Sequence, residues 1–341
     1  MTVEANGSEK PLALTMGEPA GVGAEIALKA WQGRNGGTPL FFLLDDPPRL
    51  RRLAEHLGLD ISIRDIDSPA EAAAVFFSCL PVLPRPLAAD PVPGQPDPAN
   101  ANAVRGAIEA AVRLVQSGEA GAVVTNPIDK RCLHAAGFPF PGHTEFLAAL
   151  SGTNSRPAMM LANPELRVVP VTVHLSLDQA VKALTPRDIV ETATVAEASL
   201  KRDFGIPEPR LAVAGLNPHA GEGGIMGAEE GSIIEPAVAL LRQRGIDVFG
   251  PVSPDTLFTA LARQRYDAAI CMYHDQALIP VKAIGFEETV NVTLGLPFVR
   301  TSPGHGTALD IAGTGQASAA SLAAALSMAA AMARRRDAGN P

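Results

Sequence analysis

Short apolar runs recur along this chain, each cut off by a polar or glycine-rich turn and followed by a stretch with helical spacing. Leu12–Met16 runs into GEPAGVG at 17–23, and a helical pattern follows over Ala24–Trp31. Leu40–Leu44 precedes a helical stretch at Arg49–Leu57, and Ala122–Thr125 stops at Asn126-Pro127. Val168–Val173, Leu211–Leu216 and Asp267–Tyr273 repeat the layout, with helical stretches at Asp188–Arg202 and Glu229–Arg244 between them. Brief, uniformly apolar runs suit strands buried on both faces, and their alternation with helices supplies crossovers. The pattern predicts an α/β fold with a largely parallel sheet. Asn102 is read as the cap of a helix over Ala103–Gln116, and Ser318–Arg336 as an alanine-rich closing helix. Seven prolines between 81 and 101 predict a long connection there.

At 341 residues the chain is long enough for about two domains. A hydrophobic share of 47% supplies a large core and excludes disorder. Aromatics amount to 12 Phe, 2 Tyr and 1 Trp, so the core is aliphatic and a base-stacking platform is not expected. The net charge of −8 would repel a phosphate backbone, which argues against a nucleic-acid partner. Cys79, Cys132 and Cys271 form no CxxC and no even framework, as in a reducing compartment. Met1–Lys10 is polar without an apolar core, so no export signal is expected. Ser321–Ala333, the most membrane-like stretch, falls short of the about 20 residues a span needs. A cytoplasmic protein without membrane contact is the expectation.

Three of the runs end on histidine: His174 directly, His219 after Asn217-Pro218, and His274 directly. Ligands of α/β sheets bind outside the carboxyl ends of strands. Three imidazoles there can converge on zinc, cobalt or manganese and leave positions open for substrate. The gaps of 45 and 55 residues carry little weight by themselves, and any one histidine is more often ordinary. Three at equivalent strand ends favour a site. Asp255 and Asp275 can add a carboxylate nearby.

Lys282, Asn291 and Arg300 form a second set, suited to phosphate or carboxylate oxygens. Asn291 and Arg300 bracket VTLGLPFV and are expected at the two ends of one element. His143 and Thr144, in PGHTEF, either surround an anion at a helix N-terminus or, for Thr144, cap the helix Glu145–Leu150; the two roles are compatible. Neither the Rossmann fingerprint nor the Walker A loop occurs. GHGTALDIAGTG at 304–315 can either cradle a nucleotide, with Asp310 as acceptor, or simply turn into the last helix.

The stretches LTMGEPAGVGAEI (14–26), VTNPIDK (124–130), GFPFPGHTEFLA (137–148), TVHLSL (172–177), LNPHAGEGGIMGAEE (216–230), GPVSPDTLF (250–258) and a long block at 272–315 resemble the 4-hydroxythreonine-4-phosphate dehydrogenase family. The resemblance runs through nearly the whole chain. It implies two α/β domains with a cleft between them, similar to the isocitrate and isopropylmalate dehydrogenases. The domains are expected at 1–137 with 308–341, and at 138–307. It implies oxidation of 4-phosphooxy-L-threonine at C3 with NAD or NADP, then decarboxylation, in a homodimer whose site lies at the subunit interface. One divalent ion (Zn, Co or Mg) maps onto His174, His219 and His274. Substrate contacts map onto His143, Thr144, Lys282, Asn291 and Arg300, and a cleft aspartate onto Asp255. Lys282 and Asp255 are the candidate bases. HGTALDIAG, with His305, Gly306, Thr307 and Asp310, resembles an adenosine-binding loop.

Where the family has aspartate before His-Gly-Thr-Ala, this chain has Gly304. That bears on NAD versus NADP and on the substrate, D-threonate or D-erythronate 4-phosphate being the alternatives. A metal-dependent hydrolase or aldolase and a two-lobed binding protein for a phosphorylated metabolite are the rival classes. Reduction of a nicotinamide separates both from a dehydrogenase.

Overall fold

The computed structural model describes residues 10–153 and 156–339. The segment behind the export-signal expectation thus lies outside the described residues, apart from Lys10. The strands are β1 (Leu12–Thr15), β2 (Phe41–Asp45), β3 (Ile63–Asp65), β4 (Leu80–Pro84), β5 (Val123–Thr125), β6 (Ala158–Ala162), β7 (Arg167–Pro170), β8 (Leu211–Ala214), β9 (Val248–Val252), β10 (Ala268–Cys271), β11 (Val290–Leu294) and β12 (Arg300–Pro303). The chain divides into two compact units, the first ending at Thr153 and resuming over Leu296–Asp337, the second ending at Gly295. Residues 138–153 and 296–307 fall in the first unit, although the sequence grouped them with 138–307.

The first unit orders its strands β3-β4-β2-β1-β5-β12, all parallel. β1 and β2 are buried at every residue, as their continuous apolar runs require. The Ala101–Gln116 helix packs Val104, Ala107, Ile108 and Ala111 into a core with Ala13, Phe42 and Val123. The helix read over Ala103–Gln116 is there, but its start differs. Asn102 lies inside the helix, and Asp97 instead accepts a hydrogen bond from Ala99 N (2.9 Å) in the preceding 3-10 turn. The proline-rich connection also contains a strand: β4 carries Pro81 and Pro84. Pro84 lies beyond the last residue that β3 pairs, Asp65 with Val82, so the missing N–H leaves no β3 carbonyl waiting.

The second unit orders its strands β11-β6-β7-β10-β8-β9. β6 runs antiparallel to both neighbours, while β7, β10, β8 and β9 are mutually parallel in their pairs. The carboxyl ends of β7, β8 and β10 therefore lie along one edge. Ala277 and Val281 of the His274–Gly285 helix pack on Val168, Ala212 and Ala269 beneath that edge. Asn291 and Arg300 do not end one element; they sit on β11 and β12, in different units. Gly295, at φ 83°, breaks the chain between them, and its absent Cβ would lie 3.1 Å from Val195 Cγ1. Among the described residues no helix is long and apolar enough to cross a membrane.

Candidate functional site

The second unit carries the three strand-end histidines. His174 lies four residues past the end of β7, with φ 56°, a left-handed conformation. His274 opens the helix after β10, and its ring centroid lies 6.2 Å from that of His174. His274 Nδ1 is 2.7 Å from Asp275 Oδ1. A carboxylate accepts, so Nδ1 is the donor in this contact. A cavity of about 230 Å³ is lined by Thr172, His174, Leu175, Tyr273, His274 and Asp275.

His219 sits in an unusual segment. His219, Ala220, Gly221, Glu222 and Gly223 all have positive φ (53°, 52°, 79°, 42° and 66°). Left-handed backbone costs about 1–2 kcal/mol at each non-glycine residue. Glu230 and Asn217 hold the segment in place. Glu230 Oε1 accepts from Leu216 N (2.8 Å) and Asn217 N (2.7 Å), and its Oε2 accepts from Asn217 Nδ2 (2.9 Å). Charge-assisted bonds of this kind are worth about 1.5–3 kcal/mol each. A Cβ on Gly221 would meet Glu230 Oε2 at 2.7 Å, so the buried carboxylate requires glycine there. Asp255 is the neighbour of His219. The Ser253 hydroxyl donates to Asp255 Oδ1 (2.6 Å), and that bond, with His219 close by, holds the Asp255 carboxyl below the usual aspartate range.

As placed, His174 and His274 come together, and His219 comes beside Asp255. Among the described residues no group of three or more His, Cys, Asp or Glu stands ready to hold a metal ion. The donor chemistry nevertheless suits a divalent cation: facing imidazoles, one hydrogen-bonded to a carboxylate, at an open edge. Lys282 lies two turns along the His274 helix, over the Phe286 ring at 5.7 Å. Asn291 Oδ1 on β11 is buried without a hydrogen-bond partner, an acceptor left for a ligand or water.

The first unit holds the other expected contacts. Arg300 opens β12 beside β5, is 3% exposed, and donates from Nη2 to Thr125 Oγ1 (2.6 Å). Burial lowers its pKa to about 10, so the guanidinium stays charged at neutral pH. His143 starts the His143–Ser151 helix with Gly142 at the cap position, so Thr144 lies in the first turn and is not the cap. His143 Nε2 is buried without a partner. Burial, then the charges of Arg300 and Lys130, push the imidazole well below its usual 6.5. A neutral imidazole near a buried guanidinium and a lysine, at a helix N-terminus, makes a receptive place for an anion.

That imidazole predicts a pH effect. The unfolded chain takes up the proton near its ordinary 6.5, whereas the folded chain resists it. His143 thus contributes stability that is complete above about pH 6.5 and lost as pH falls further. His143→Gln should flatten the fall in melting temperature between about pH 7 and pH 5. An unchanged slope would show that the imidazole does not titrate between the folded and unfolded states.

The loop with His305, Gly306 and Thr307 touches the GEPAGVG turn in the same unit. Val22 N donates to Thr307 O (3.0 Å), and a Cβ on Gly21 would meet that oxygen at 2.9 Å. His305 Nε2 is buried without a partner, while Asp310 is exposed. A cavity of about 320 Å³ lies by this turn, with Gly21, Arg49, Arg52, His56, Pro93 and Gly313 in its wall. Asp90 also lines it, and the two arginines are ion-paired, Arg49 with Asp45 and Arg52 with Asp90. The turn itself is braced by Asn126, whose Nδ2 donates to Thr15 O (3.1 Å) and Gly23 O (3.2 Å). A Cβ on Gly17, at φ 69°, would lie 2.6 Å from both Asn126 Cβ and Pro127 O. Gly17→Ala should therefore lower stability by about 2–4 kcal/mol, read by denaturant unfolding. A loss below 1 kcal/mol would mean the turn yields easily.

Sequence reasoning missed Lys130 and Thr125 as neighbours of the anion site, though both lie in VTNPIDK, Thr125 at the end of β5 and Lys130 at the start of the next helix. It also missed Glu230 and Asn217, whose signal is the glycine density around them.

A buried guanidinium near a neutral imidazole, and histidines along a strand edge, characterise an α/β protein equipped for a small anionic ligand. The family model for the pyridoxal phosphate biosynthetic protein PdxA matches residues 38–329. A 4-hydroxythreonine-4-phosphate dehydrogenase of Bradyrhizobium diazoefficiens is 52% identical, over 96% of this chain and 99% of the relative. One from Methylorubrum extorquens is 53% identical, over 96% and 95%. The crystal structure of the Klebsiella pneumoniae 4-hydroxythreonine-4-phosphate dehydrogenase superposes with a TM-score of 0.85 at 42% identity, covering 95% of this chain and 99% of that one. The chain belongs to the PdxA family of 4-hydroxythreonine-4-phosphate dehydrogenases.

Proposed function

We propose that this chain catalyses the NAD(P)-dependent oxidation of 4-phosphooxy-L-threonine at C3, with loss of CO2 to give 3-amino-2-oxopropyl phosphate, in the route to pyridoxal phosphate. The observation that carries the reading is family membership across residues 38–329. The anion site at Arg300 and His143 supports it.

The residues taken to contact the substrate's phosphate and carboxylate, and so to fix the reacting carbon, are Arg300, His143 and Thr144 in the first unit and Lys282 and Asn291 in the second. Arg300 offers a charged fork, His143 a neutral nitrogen, and Asn291 a carbonyl with no internal partner. His174, His219 and His274 are the residues that would hold one divalent ion (zinc, cobalt or magnesium), with Asp275 beside His274. The loop at His305, Gly306, Thr307 and Asp310 takes the adenosine side of the dinucleotide. When bound, the ion supplies Lewis acidity toward the substrate oxygen and the dinucleotide supplies the hydride acceptor. Proton removal from the C3 hydroxyl falls to Asp255 or Lys282. Asp255 is held ionised and is the weaker base for it, so a pH profile of Asp255→Asn against Lys282→Met separates the two.

A homodimer belongs to the same reading. Leu175, Leu177, Ile225, Met226, Ile279 and Phe286 are exposed apolar residues on the segments that carry the three histidines, a distribution that suits burial by a second copy. The two-domain organisation and a cytoplasmic setting are also part of it.

The test follows the absorbance of reduced nicotinamide over a panel of 4-phosphooxy-L-threonine, D-threonate 4-phosphate and D-erythronate 4-phosphate. Each is offered with NAD and with NADP, with and without a chelator. Highest kcat/KM on phosphooxy-threonine supports the assignment. A preference for a sugar-acid phosphate moves it to that substrate, and no nicotinamide reduction on any of them defeats it.

A further inference from the structure

In the first unit, residues 304–319 run from β12 to the closing helix with no helix or strand of their own. A stretch of that length without regular structure is uncommon in a compact unit and is usually functional. It is tied down along its length. Gly304 N donates to Ser321 Oγ (2.9 Å), so its start is held by the closing helix. Val22 N donates to Thr307 O (3.0 Å), and Val22 is the residue just ahead of the Gly23–Gln32 helix. The far end is held by the last turn of that same helix, where Lys29 Nζ donates to Gly315 O (2.7 Å) and Ala317 O (2.7 Å). Lys29 Nζ also donates to Oε1 of the buried Glu25 (2.9 Å), and this oxygen accepts from Ala317 N as well (3.0 Å).

An ammonium has three protons, and these three acceptors take all of them. Lys29 therefore has none to offer a ligand, and acts on the loop instead. Pairing with Glu25 alone would complete a helix surface. Two of the three bonds go instead to carbonyls far along the chain, and charge-assisted bonds of this length are the strong kind. From Val22 to Lys29 the helix rises about 10 Å. It is a strut, with Thr307 fastened at one end, Gly315 and Ala317 at the other, and ALDIAGT (308–314) stretched between them. At the head of the loop, His305 Nε2 is buried without a partner, a polar atom left for a ligand. We propose that Lys29 is a positioning residue for the dinucleotide: it draws the end of this loop onto the helix, keeps the loop in its receptive shape, and so sets dinucleotide affinity. The inference rests on the reading that the loop takes the adenosine side.

The experiment titrates the purified full-length chain with NADH and with NADPH in the absence of substrate, followed by calorimetry and by the fluorescence of the bound dihydronicotinamide. KM for the dinucleotide, KM for the preferred phosphorylated substrate and the melting temperature are recorded alongside. Lys29→Met removes all three bonds. Combining it with Glu25→Gln also removes the carboxylate left buried without its cation and keeps an acceptor for Ala317 N, so the double variant carries the test if the single one fails to fold. A loop that holds its receptive shape about a tenth of the time binds about tenfold more weakly, and that is the loss expected in both variants. KM for the dinucleotide should rise with it, while KM for the phosphorylated substrate stays near the wild-type value. Wild-type dinucleotide affinity in these variants, or an equal rise in both KM values, overturns the proposal and leaves Lys29 a fold-stabilising cation. His305→Ala is the reference arm. If it too binds the dinucleotide like the wild type, the loop is not the dinucleotide site and the positioning role falls with that reading. Weakened binding in that arm alone defeats only the role of Lys29.

Discussion

His219→Ala should reduce kcat/KM by about 10³-fold or more while leaving the far-ultraviolet circular dichroism unchanged. The ion that these imidazoles would hold is worth several kcal/mol to a developing negative charge. At about 1.4 kcal/mol per factor of ten, about 4 kcal/mol corresponds to that loss. The substitution should not disturb the fold, because alanine occupies the same left-handed conformation at similar cost and the anchoring bonds belong to Glu230 and Asn217. Wild-type enzyme treated with chelator should fall to the same level, and the variant should then be insensitive to it. Near-normal turnover by either would remove the ion from the reaction.

Arg300→Met should raise KM for the phosphorylated substrate by about 10²-fold or more, with KM for the dinucleotide nearly unchanged. Two charge-assisted bonds to an anion, at about 1.5–3 kcal/mol each, account for that range. Arg300→Lys keeps the charge and loses the fork, so it should recover only part of the affinity. Stability should move the other way. Burial lowers the Arg300 pKa to about 10, which means the folded environment disfavours the charge. In the unfolded chain the group keeps its proton to higher pH, so the unfavourable burial is present in full at neutral pH and eases only above about pH 10. A neutral residue of similar length removes it, and the methionine variant should melt no lower than wild type. A large drop in melting temperature with unchanged KM would recast Arg300 as a structural residue tied to Thr125.

The alternating layout and the strand-end histidines were legible because both follow from short-range chemistry. Apolar runs must be buried, and a polar residue directly after one marks the strand end. β4 stayed hidden because prolines usually break ladders, and only the pairing with β3 shows that Pro84 interrupts none. Asn291 and Arg300 were read as one element because the apolar run between them masks the break at Gly295. The anion site was half visible. Arg300 and His143 stood out by residue type, whereas Thr125 reaches it through β5 pairing with β12, a contact between residues far apart in sequence.

The run from His219 to Gly223 has a chemical consequence of its own. Over these five residues the peptide follows the screw sense natural to the mirror-image amino acids. The usual hierarchy of replacements is inverted there: glycine at 220 would relieve the chain, a β-branched residue would crowd it, and a D-alanine introduced by chemical synthesis would sit more comfortably than the natural residue. A histidine displayed on such a segment is held at a place that ordinary helical or extended backbone does not reach.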